Sequence, residues 1–159
     1  MVITYTAKVT LMNTLDSYKL VDKEIKTPVV ICGICALARN ALTYTPGGHL
    51  DLFTKYEELD GLDLAVITYY YNPNIDYTNF VRPMETNPNI LLPSPERAII
   101  ECIKFIDFVS EDILLEAIQN YKLWYKSYDK LYPMADFYQV PKEELDHWIY
   151  EAENDYEEW

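Results

Sequence analysis

Apolar and polar positions change their spacing several times along the chain, and each change predicts an element. Residues 2–11 (VITYTAKVTL) and 17–26 (SYKLVDKEIK) alternate, which predicts two strands joined around Asn13 and Asp16. Pro28 closes that unit. Residues 29–42 (VVICGICALARNAL) are small and apolar throughout and predict a buried helix, closely packed through Gly33, Ala36 and Ala38. Thr45-Pro46-Gly47-Gly48 predicts a turn, with a short strand over 49–53 behind it. Residues 63–71 (DLAVITYYY), β-branched and aromatic, predict the strongest strand of the chain. The Asn- and Pro-rich stretch 72–89 carries a short strand near Phe80 and Val81. Ile90-Leu91-Leu92 makes another, closed by Pro93.

Helical punctuation then takes over. Ser94 is placed as an N-cap, with Pro95 at the first helical position, where its missing N–H costs nothing. Glu96 follows near the positive end of the helix dipole. Ala98, Ile99, Cys102, Ile103 and Ile106 make the apolar face. Ser110 is expected to cap a second helix that begins with Glu111 and Asp112, along which Ile113, Leu114, Ala117, Ile118, Tyr121, Trp124 and Tyr125 follow helical spacing. Residues 129–140 read as a connector containing Pro133. Pro141 opens a last helix with Leu145, Trp148, Ile149, Ala152 and Tyr156 on one face. The expectation is a single α/β (α+β) domain, a mixed sheet packed with about four helices. Its core spans 1–128, and 129–159 adds the connector and an acidic, aromatic C-terminal helix.

Charge narrows the function classes. The 159 residues hold 26 acids against 13 lysines and arginines, a formal charge of −13. A protein that neutralises phosphates needs the opposite sign, so direct nucleic-acid binding and docking on an anionic membrane are both disfavoured. A basic protein partner suits this surface, because opposite charge accelerates approach. The acidity is also local. Residues 141–159 set Lys142 against Glu143, Glu144, Asp146, Glu151, Glu153, Asp155, Glu157 and Glu158, a charge of −7. The longest apolar runs are far shorter than a bilayer span, and no basic segment precedes an apolar run at the N-terminus. A cytoplasmic location is expected, with the oligomeric state left open.

Reactive residues are few. Cys32-Gly33-Ile34-Cys35 has the C-x-x-C spacing of a redox pair or half a zinc site. A zinc site needs two more ligands, and only Cys102, His49 and His147 remain, none in a second paired motif. The apolar flanks favour core packing, where a free cysteine behaves as a small hydrophobe. His49 and Asp51 after Gly47-Gly48 could hold a metal, or could simply lead a turn into a strand. Asp60 and Asp63 do not have the spacing that a nucleotidyltransferase site would need. No G-x-S-x-G, P-loop or H-E-x-x-H occurs. No catalytic residue, metal or cofactor is assigned, and the chain is expected not to be an enzyme.

The 15 tyrosines say more. Tyr69, Tyr70 and Tyr71 on one strand must point alternately to opposite faces, so core and interface readings both stay open. Tyrosine combines a rigid apolar body with a polar tip, which suits interfaces. Tyr150, Tyr156 and Trp159 among the terminal acids are therefore assigned to a partner-binding surface, together with Glu151, Glu153, Asp155, Glu157 and Glu158.

Residues 93–100, Pro-Ser-Pro-Glu-Arg-Ala-Ile-Ile, resemble the Ser-Pro-Glu-Arg-Ala-Leu-Leu signature of AbiEi-type antitoxins from abortive-infection toxin–antitoxin systems. The resemblance runs over about 29–125. It implies the fold of that family's C-terminal domain, with Ser94, Glu96 and Arg97 at the motif positions. The family's winged helix has no counterpart in residues 1–28, so operator binding is not implied. Capping and ion pairing at a helix start are the plain roles of the motif residues. The expected function is an antitoxin-like module that neutralises a protein. The alternative is a phage or mobile-element counter-defence inhibitor, such as an anti-CRISPR, whose acids mimic nucleic acid.

Overall fold

A computed structural model describes residues 3–6, 25–45, 50–55 and 67–155. Six strands are present among them: β1 (Ile3–Thr6), β2 (Val29–Ile31), β3 (Leu50–Thr54), β4 (Ile67–Tyr71), β5 (Val81–Pro83) and β6 (Ile90–Pro93). They form one mixed sheet in the order β1-β4-β3-β2-β6-β5. β2 pairs antiparallel with β3 and parallel with β6, while β3 pairs parallel with β4. Five α-helices follow: α1 (Gly33–Arg39), α2 (Pro95–Lys104), α3 (Glu111–Tyr125), α4 (Leu131–Phe137) and α5 (Lys142–Asn154). A single 3₁₀ turn, Ile106–Phe108, joins α2 to α3. The architecture is a single α/β domain.

The run 29–42 corrects the sequence expectation of one helix. Val29, Val30 and Ile31 are a central strand, completely buried on both faces. A continuous apolar run does not distinguish a strand covered on two sides from a buried helix, and β-branching decides for the strand. The Cys32 amide continues the ladder by donating to the Asp51 carbonyl at 2.9 Å. Gly33 then turns the chain into α1 at φ +58°. A Cβ there would sit 3.1 Å from Asp51 Oδ2, so the position suits glycine on two grounds.

The segment 129–140, expected to be a connector, is a second correction: α4 occupies Leu131–Phe137. Pro133 falls in its first turn, where a backbone N–H has no intrahelical acceptor to lose. Leu131, Met134 and Ala135 recur at i, i+3 and i+4, and all are buried. Of the paired strands expected over 2–26, β1 is present, and 7–24 lie outside the described residues.

Two helices end in the same hydrogen-bonded cap. Leu42 N–H donates to Leu37 O at 2.9 Å and Ala41 N–H to Ala38 O at 3.0 Å; Val140 and Gln139 repeat this on Ala135 and Asp136. The residue past each C-cap is left-handed, at φ 58° for Ala41 and 60° for Gln139. Glycine is the usual occupant, but this chain has only four. The residues that follow, Leu42 and Val140, are buried and lock each cap to the core.

The sheet separates two apolar clusters. Val29, Ile31, Leu52, Ile90 and Leu92 pack with the helices, including Leu37, Ile99, Ile118, Leu145 and Trp148. Val30, Cys32 and Phe53 face the other way, against Tyr70, Phe105 and Phe108. There Tyr70 and Phe108 have ring centroids 4.4 Å apart, and Phe53 lies 4.9 Å from Phe108. Tyr70 of the tyrosine triplet is thus a partly buried ring packed against this second cluster.

Candidate functional site

The C-terminal acids sit on a well-anchored helix. Leu145, Trp148 and Ala152 of α5 are buried at the i, i+3, i+7 positions that face the core. Gln119 of α3 donates through Nε2 to the Ala152 carbonyl at 2.8 Å, satisfying one acceptor of the last turn. Tyr132 O–H and Lys142 Nζ each donate to Asp146 at 2.6 Å. The bond to Asp146 pushes the Tyr132 hydroxyl up to about 12, and those from Lys142 and Tyr132 hold the Asp146 carboxyl down. Asp146 therefore serves the helix junction. His147 Nδ1 lies 3.9 Å from Glu151 Oε1, one turn on.

The remaining face points outward. Glu143, Glu144, Tyr150, Glu153 and Asp155 are exposed, Tyr150 by 64%, and Glu151 is half-buried. The structure brings Tyr150, Glu151, Glu153 and Asp155 together on the last turns of α5 and the residue after it. Tyr156, Glu157, Glu158 and Trp159 lie outside the described residues.

The motif residues have structural work. Ser94 Oγ accepts the Arg97 N–H at 3.1 Å, an N-cap. The Arg97 side chain is fully buried, and Nε donates to Glu101 Oε1 at 3.0 Å. Nη1 donates to the Asn79 carbonyl at 2.8 Å and Nη2 to the Asp76 carbonyl at 2.7 Å. The Tyr138 ring covers the guanidinium, 5.2 Å from its centroid, and its hydroxyl donates to Asp76 Oδ2 at 3.1 Å. Arg97 thereby ties α2 to the 76–79 loop and the end of α4. Partial burial raises the Asp76 carboxyl, but hydrogen bonds from Thr78 and Asn79 outweigh it and hold the group at about 2. Glu96 has a different environment: its Oε2 is buried without a partner among the described residues.

Sequence reasoning expected ion pairing by the motif residues but not the partners of Arg97, which are Glu101 and the 76–79 loop. The local signal of this network is the i, i+4 spacing of an arginine and a glutamate on an otherwise apolar helix face. The loop carbonyls that complete it leave no trace in a sequence pattern.

The C-x-x-C cysteines diverge. Cys32 belongs to the aromatic cluster and Cys35 to the helical one. Burial, followed by repulsion from Asp51, raises the Cys32 thiol far above its ordinary value, which suits a packing role. Asp51 is buried beside Gly33, and desolvation lifts its carboxyl to about 7. His49 lies outside the described residues. Among the described residues no group of three or more potential ligands gathers as a metal site, and no helix is long and apolar enough to cross a membrane.

No protein-family model matches the chain, and no curated protein matches it.

Proposed function

We propose that the protein is a binding module, not an enzyme, that regulates or neutralises a protein partner with a basic surface. One observation carries the reading: α5 is fixed by Leu145, Trp148 and Ala152, while Tyr150, Glu153 and Asp155 face solvent on its far side. Acids at the C-terminal end of a helix oppose its dipole, so they weaken the helix that displays them. A basic partner reverses that penalty. Tyr150 supplies an aromatic anchor of the kind that interface centres favour, with the acids around it as a polar rim. The antitoxin-like form of this reading rests on the resemblance of residues 93–100. Arg97 and Ser94 support it only as parts of the fold.

The test uses two baits in the native host, wild type and a Tyr150→Ala/Glu153→Lys/Asp155→Lys variant. A partner should be recovered with wild type alone, and its association with purified protein should slow at least tenfold in the variant. That difference should shrink at high salt. Equal association rates for two folded proteins at low salt would remove α5 from the interface.

A further inference from the structure

A cavity of about 560 Å³ lies where the end of α1, strands β5 and β6, the start of α2 and the end of α3 meet. Its size falls within the range of small-molecule sites, about 300–1,000 Å³. The described residues that line it include Arg39 and Arg82 and no carboxylate, in a chain that has twice as many acids as bases. Its apolar lining includes Phe80, Pro93, Pro95 and Tyr125. Arg82 is exposed and makes no ion pair with any described residue.

The aromatic walls are held in place. Phe80 is 45% exposed at φ +56°, a conformation that bulky residues seldom adopt. Its carbonyl accepts the Ser94 N–H at 2.8 Å, and its ring packs edge-on to Phe137 at 5.2 Å. Tyr125 stacks on the buried Tyr121 at 4.7 Å. Asn40 Nδ2 donates to the Pro93 carbonyl at 3.0 Å, joining the end of α1 to β6 beneath the cleft. Strained and braced positions of this kind cluster at ligand clamps.

We infer that this cleft binds a small planar organic anion. Its flat apolar body lies against Phe80, Pro93 and Tyr125, and its carboxylate or phosphate meets the Arg82 guanidinium. Guanidinium suits this task, because its planar fork matches both anions. The site is separate from the outward face of α5, so its failure and that of the interface are distinguishable.

The probes are indole-3-acetate and AMP, with indole and adenosine as neutral counterparts, inorganic phosphate, and the tetrapeptide Glu-Tyr-Glu-Glu. Titration of the full chain by calorimetry should show that at least one planar anion binds, and tenfold or more tightly than its neutral counterpart. Arg82→Gln and Tyr125→Ala should each weaken it about tenfold, the loss of one charge-assisted contact or one aromatic wall. Both residues are exposed, and an unchanged melting temperature confirms folded variants. Glu153→Gln should leave binding intact. The inference is overturned if no planar anion binds, if neutral counterparts bind equally, or if Arg82→Gln has no effect. Tighter binding of the peptide or of phosphate alone would also overturn it, assigning the cleft to a protein segment or to an adventitious anion.

Discussion

Arg97 donates to Glu101 one helical turn away, at 3.0 Å, with both side chains buried. Its other two nitrogens reach backwards to the Asp76 and Asn79 carbonyls. Burial raises the Glu101 carboxyl while Arg97 pulls it down, and the burial effect is the larger. Removing either partner leaves a buried polar group stranded, which costs about 3–5 kcal/mol. Arg97→Ala and Glu101→Ala should each lower unfolding free energy on that scale in urea titrations. Arg97→Lys should recover little, since an ammonium cannot serve three acceptors from one plane. A loss below about 1 kcal/mol for Glu101→Ala would show that the pair does not hold the loop.

Asp51 gives stability a dependence on pH. Its folded carboxyl titrates at about 7, against an ordinary value near 3.8. Below about pH 4 both folded and unfolded chains carry the proton, and there is no penalty. As pH rises toward 7, the unfolded chain releases the proton first, so stability declines by at most about 4 kcal/mol. Asp51→Asn should flatten this decline and raise the melting temperature at pH 8. Parallel stability profiles for variant and wild type between pH 4 and 8 would refute the assignment.

Cys32 and Cys35 lie in clusters on opposite sides of the sheet. Serine at either site buries a hydroxyl among apolar neighbours and should cost about 1–3 kcal/mol. Zinc added to wild type should leave its melting temperature unchanged. Stoichiometric metal in the purified protein, by elemental analysis, would contradict the packing role.

Ala41 and Gln139 occupy left-handed positions that glycine fills more cheaply. Ala41→Gly and Gln139→Gly should each stabilise by about 0.5–1 kcal/mol, net of the greater freedom glycine gives the unfolded chain. Thermal unfolding of the single variants checks this. A fall in stability for both would mean that the caps carry no strain.

Much of this fold was readable from punctuation. Ser94 and Pro95 announce α2, Pro141 announces α5, and Pro93 closes β6, because each acts through its own backbone. Ser110 sits at the expected start of α3, yet its side chain makes no capping bond. Residues 29–31 misled because burial on both faces erases periodicity, and α4 was hidden because Pro133 breaks helices everywhere except their first turn. The outward acids of α5 were legible from composition. The cleft was not, since Arg39, Phe80, Arg82 and Tyr125 converge only when β5 and β6 meet the ends of α1 and α3.

The strand order has a kinetic consequence. β2 completes its pairing only when β6, some sixty residues later, lies alongside it. Apart from α2, which also packs on the distant α1, the helices beyond β6 find their partners among near neighbours in the chain. Closing a long loop is entropically slower than docking adjacent helices, so the helical half should be native-like at the folding barrier while β2 and β6 remain apart. Conservative truncations at Ile118 and Leu145 would then slow refolding, and the same change at Val30 would mainly hasten unfolding. A protein assembled in that order displays α5 before its sheet is finished.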